Sequence, residues 1–146
     1  MATKNPFSTA TYERVFREVL EFNEITNKDE CLVRMNEPMG KKISPIQAGH
    51  KSAQCMAFIT TTTNDRLIVA VFNLYGQFYQ HYVMPLSEIR HLEIKKVFAG
   101  MNVSFRGMTQ HGFATMKMYI PKREFGTDLK QQKEHMERLI SNLNNR

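Results

Sequence analysis

The sequence predicts a mainly β (α+β) fold: an antiparallel β-barrel or sandwich of about seven strands, with a C-terminal capping helix and an extra amphipathic helix at the N-terminus. Three observations carry that expectation. From Cys31 onward, short segments alternate apolar and polar residues between turn-forming ones; after Pro121 the apolar period becomes helical; and an isolated helical stripe precedes the first strand. With 146 residues, 42% of them hydrophobic, the chain suits one compact core. It divides into a helical extension, 1–30, packed on the domain, and the β domain itself, 31–146.

Tyr12, Val15, Phe16, Val19, Leu20 and Asn23 share one helical stripe, and Glu13, Arg14, Arg17, Glu18, Glu21 and Glu24 lie largely opposite, which predicts a helix over 9–25. Ser8 or Thr9 would cap it. The apolar stripe calls for a surface to cover, and Phe113 and Tyr119 on the outer face of the last strands are the expected one. Cys31 to Met35 reads as a short strand, followed by NEPMGKKISPIQAGHKSAQ, a long connection of proline, glycine and polar residues. In CMAFITTTTNDRLIVAVFN, residues 55–73, the threonines suit a pleated surface and Asn64-Asp65 supplies a turn between two strands. Leu67 to Phe72 is apolar on both faces, as in a strand lying beneath an added element.

Phe78 to Met84 is the next strand. Leu92 and Ile94, then Met101, Val103 and Phe105, then Ala114, Met116, Met118 and Ile120 alternate with polar neighbours, with turns expected at Gly100, Gly107 and Gly112. This spacing describes an antiparallel meander. Leu129, Gln132, Met136, Leu139, Ile140 and Leu143 form the closing helical stripe, with Thr127 as its cap.

Three segments resemble the bacterial pleckstrin-homology (PH-like) domain family: MAFITTTTNDRLIVAVF, MPLSEIRHLEIKKVFAGMNVSF and KQQKEHMERLISNL. The matching positions are Thr63, Asn64, Arg66, Leu67 and Ile68, then Pro85, Leu86, Ile89, Leu92 and Ile94, then Gly100. The threonine run and the 36–53 connection are longer than the family pattern. The resemblance implies a barrel-like sandwich plugged by its last helix, a role in binding or self-association, and no catalytic residues. It also implies that the loop between the first two strands, with Lys41, Lys42, His50 and Lys51, is a candidate anion or lipid site. The full basic motif of the phosphoinositide-binding relatives is missing there. Three lysines near an acidic membrane contribute about 3 kcal/mol together, weaker than a millimolar affinity.

Catalytic and metal-binding patterns are thin. His50 and Cys55 are the one close His/Cys pair, short of the three or four clustered ligands of a zinc site. The sequence contains neither a nucleophile elbow nor a glycine-rich phosphate loop. His111, in the turn RGMTQHG, is the best single acid/base candidate and has no evident partner. The expectation is a non-enzymatic module with no cofactor and no metal.

The charge is unevenly spread. Four Lys/Arg against six Asp/Glu give residues 1–30 a balance of −2, and sixteen against eight give residues 31–146 a balance of +8. A basic surface attracts nucleic acid, acidic lipid or acidic protein. Lys95, Arg106, Phe113, Lys117 and Tyr119 are expected to share the non-core face of the last strands, mixing cations with aromatics as single-strand nucleic-acid platforms do. A protein partner or self-association ranks first, because the lipid loop is incomplete, the N-terminal helix offers itself as a cover for those aromatics, and exposed edge strands permit strand addition. Nucleic acid through the 106–119 face is the runner-up, with weak acidic-lipid binding through the 41–51 loop as a further alternative, and an enzyme is a distant third. No apolar stretch reaches the length of a membrane span, the first residues lack the apolar core of a signal peptide, and Cys31 and Cys55 are expected to be free and buried. The expected compartment is the cytoplasm.

Overall fold

The computed structural model describes residues 6–36, 39–40, 54–73, 75–123 and 126–146. Helix α1 spans Thr9–Val19; the strands are β1 (Cys31–Asn36), β2 (Met39–Gly40), β3 (Gln54–Thr61), β4 (Arg66–Phe72), β5 (Phe78–Pro85), β6 (Arg90–Val97), β7 (Gly100–Thr109) and β8 (Gly112–Pro121); helix α2 is Gln132–Asn144. The strands form one antiparallel sheet in the order β5-β4-β3-β1-β8-β7-β6, with the two-residue β2 paired to β8 beside this path. The fold is therefore mainly β with two helices.

Every long strand has two faces with different tasks. Val33 and Met35 of β1, Ala57 and Ile59 of β3, Val69 and Val71 of β4, and Val103, Phe105, Met116 and Met118 of β7 and β8 point inward, where Met136, Leu139 and Leu143 of α2 complete the core. The period of two in the sequence becomes this inside-outside alternation. The sheet curls until β5 meets β7, and Gly107 permits the approach. A Cβ there would lie 2.6 Å from the Glu88 carbonyl oxygen and 2.7 Å from Met84 Sδ. Gly107 thus lies inside β7 and serves close packing, not the turn expected of it.

The opposite face is covered over half its width. Leu32 of β1, Phe58 of β3, and Ile68, Ala70 and Phe72 of β4 form a second buried cluster with Val15 and Phe16 of α1. Edge-on ring contacts, Tyr12 with Phe58 at 5.3 Å and Phe58 with Phe72 at 5.4 Å, fix the packing. The apolar-on-both-faces run 67–72 is explained by this second layer. Helix α1 covers that surface and not Phe113 and Tyr119.

Two element boundaries differ from expectation. Ser8 caps α1, its Oγ accepting from Thr11 N at 3.3 Å, but the helix ends at Val19 and Leu20 is already extended. The following residues run antiparallel to the threonine tract: Thr63 N donates to Ile25 O and Asn27 N to Thr61 O. Those bonds, and the salt bridge of Glu24 with Arg66, hold 24–27 more firmly than another helical turn would. At the other end, α2 begins at Gln132 with no side-chain cap, and Thr127 Oγ1 instead accepts from Leu129 N in the preceding turn.

Candidate binding face

Among the described residues, no element covers the other half of the outer face, which belongs to β1, β8, β7 and β6. The pairing register places Lys95, Asn102, Tyr119 and Arg34 in one row across four strands, and Glu93, Ser104 and Lys117 in the next. These side chains line an open groove of about 650 Å³. A second groove of about 680 Å³ adjoins it, lined by Arg34, Ala99, Tyr119, Pro121, Lys122, Arg123 and Lys133. Arg34 and Tyr119 belong to both.

The electrostatics are one-sided. Among the described residues no ion pair engages Lys95, Lys117, Lys122, Arg123 or Lys133, and Glu93 is the single acidic residue lining either groove. Clustered like charge of this kind raises the local concentration of anions. It repels a second copy of the same surface.

Tyr119 is fixed in position. Its partner across the β7–β8 ladder is Asn102, and its ring lies diagonally over Gly100, where a Cβ would approach Cε1 to 2.6 Å and Cζ to 2.8 Å. Its hydroxyl donates to the Phe98 carbonyl oxygen at 3.3 Å. Phe98, in the β6–β7 turn beside it, is 97% exposed, the most exposed large apolar side chain among the described residues.

Of the five residues expected to form this face, Lys95, Lys117 and Tyr119 come together in the groove. Arg106 pairs with Thr115 on the same face but outside the groove, and Phe113 lies six residues along β8 from Tyr119, about 20 Å away, opposite Met108. The candidate loop residues Lys41, Lys42, His50 and Lys51 lie outside the described residues. Sequence reasoning missed Arg34, Lys122, Arg123 and Lys133. Only Arg34 carried a signal, as the one charge interrupting the apolar strand CLVRM.

Other polar clusters are occupied internally. His111 Nε2 donates to the His81 carbonyl oxygen at 3.0 Å and the ring stands edge-on to Tyr82. Asp29, fully buried, accepts from Thr60 Oγ1 at 2.7 Å, Thr61 N at 3.0 Å, Asn142 Nδ2 at 2.8 Å, and Thr61 Oγ1. Cys31 and Cys55 are free and buried, and burial pushes the Cys31 thiol well up. Among the described residues no three His, Cys, Asp or Glu side chains converge as metal ligands, and no helix is long and apolar enough to cross a membrane. No family model, no curated protein and no solved structure matches the chain.

Proposed function

We propose that the chain is a non-catalytic binding domain, PH-like in plan, that takes an acidic macromolecule on the uncovered half of its sheet. The observation that carries this reading is the division of the outer face: α1 occupies one half, and the other presents two adjoining grooves lined, among the described residues, by six cations and one carboxylate. The PH-like plan is supported by the strand order, in which β5-β4-β3-β1 and β8-β7-β6 meet through β1 and β8, and by α2 in the core they enclose. The sequence ranked a protein partner or self-association first because the lipid loop is incomplete, α1 had a claim on Phe113 and Tyr119, and edge strands permit strand addition. With α1 seated on Leu32, Phe58 and Phe72, its claim on those aromatics is gone, and like-charge repulsion disfavours self-association through this face.

The test is the salt dependence of polyanion binding. Labelled single-stranded oligonucleotide and labelled polyglutamate are titrated with the protein at about 50 and about 200 mM salt. Five engaged cations predict an affinity loss of about a hundredfold for the oligonucleotide over that range. The double variant Lys95→Glu, Lys117→Glu should weaken binding and flatten the slope. Absence of binding at the lower salt, or binding indifferent to salt, overturns the proposal.

A further inference from the structure

The geometry points to single-stranded nucleic acid as the acidic partner, with Tyr119 as a platform on which a base stacks; this rests on the acidic-partner reading above. Charge alone does not separate a nucleic acid from an acidic protein. The aromatic at the junction of the two grooves does. The ring of Tyr119 rests on the Gly100 backbone and its hydroxyl is tied to Phe98 O, so it is ordered before any ligand arrives. Stacking on a ring already held in place forgoes most of the entropic cost of immobilising it.

The surroundings repeat what a single strand presents. Lys95 and Lys117 lie in the groove on one side of the ring, and Lys122, Arg123 and Lys133 in the groove on the other. Phosphates flanking one unstacked base meet cations in both directions, and the base meets a π-face; Phe98, at the same turn and almost wholly exposed, offers a second. An acidic peptide would use the lysines and leave both rings idle. A duplex would keep its base faces stacked inside.

The experiment is fluorescence anisotropy with a labelled oligothymidylate of about ten nucleotides, with polyglutamate and a duplex of the same length as competitors. The inference expects the unlabelled single strand to compete far better than either, Tyr119→Ala to lose about tenfold or more in affinity, and Tyr119→Phe to retain it. Because Tyr119→Ala also uncovers Gly100, the exposed Phe98→Ala serves as a second variant that leaves packing intact and should lose severalfold. Equal competition by polyglutamate, with Tyr119→Ala and Phe98→Ala both harmless, overturns the stacking inference and leaves an acidic protein as the partner. No binding to either polymer at low salt overturns this inference together with the reading beneath it.

Discussion

The Glu24 carboxylate is held out of solvent by Arg66 through Nε and Nη2, and it accepts from Thr62 Oγ1 at 3.1 Å and from Glu21 N at 2.9 Å. Those bonds, the one to Arg66 first, hold its pKa below the ordinary 4.5 against the opposing effect of burial. A carboxyl group depressed on folding stabilises the fold at pH values above its unfolded pKa. That contribution disappears as the pH falls from about 4.5 through the lower, folded value. The expected outcome is therefore a fall in stability below about pH 4.5, which Arg66→Met should flatten while costing about 3 kcal/mol at neutral pH, because it strands a buried charge. Urea denaturation of both proteins at a series of pH values checks it, and identical acid slopes would refute the assignment. Beside this pair, the Asp29 carboxylate takes hydrogen bonds from Thr60 and Thr61. The threonine run is thus explained at the residue scale: three buried hydroxyls fasten the segment before β1 to the end of β3.

Between elements, two glutamine amides stand in for strand backbone. Strands β1 and β8 pair only at Arg34–Tyr119 and Met35–Met118 before they part. Buried Gln132 of α2 fills the gap, accepting from Leu32 N at 3.1 Å and donating to Leu32 O at 2.7 Å and Pro121 O at 3.0 Å. Gln110 does the same at the open edge of β5, where Val83 N donates to its Oε1 at 2.6 Å and its Nε2 donates to His81 O at 2.9 Å. Replacing Gln132 by Ala leaves buried backbone groups without partners and should cost about 3 kcal/mol, measured by urea denaturation, with faster hydrogen exchange at Leu32. A cost under about 1 kcal/mol would mean that water takes the place of the amide. Neither role was legible in the sequence. Gln132 appeared there only as a member of a helical stripe, since a stripe records which face is buried and not what a polar residue on it bonds. The strand alternation of Met101, Val103, Phe105, Ala114, Met116, Met118 and Ile120 was legible, because these residues share one inward environment. The groove was half legible: Lys95, Lys117 and Tyr119 follow from period two within strands, whereas Arg34 and Lys133 join them only through the β1–β8 pairing and the seat of α2, which are long-range, and Lys122 and Arg123 follow the end of β8, beyond the strand alternation.

For the molecule as a whole, the two faces of one sheet are divided among three tasks: the inner face builds the main core, half of the outer face carries α1, and no described residue covers the rest. This makes residues 6–30 part of the folding unit. Removing them would expose Leu32, Phe58, Ile68, Ala70 and Phe72, all buried now, and would strip Glu24 and Asp29 from Arg66 and the threonines they satisfy. An exposed apolar patch of that kind promotes association. The shortened chain 31–146 should therefore lose cooperative unfolding or aggregate, as followed by near-ultraviolet circular dichroism and size-exclusion chromatography. Phe16→Ala, which keeps the chain intact, should cost about 3–5 kcal/mol without disturbing the grooves. A soluble, cooperatively folding 31–146 fragment would reduce α1 to an appendage and make the covered half a second candidate surface. Loss of folding in the fragment, with polyanion binding retained in Phe16→Ala, would leave the basic half as the face through which this domain meets its partner.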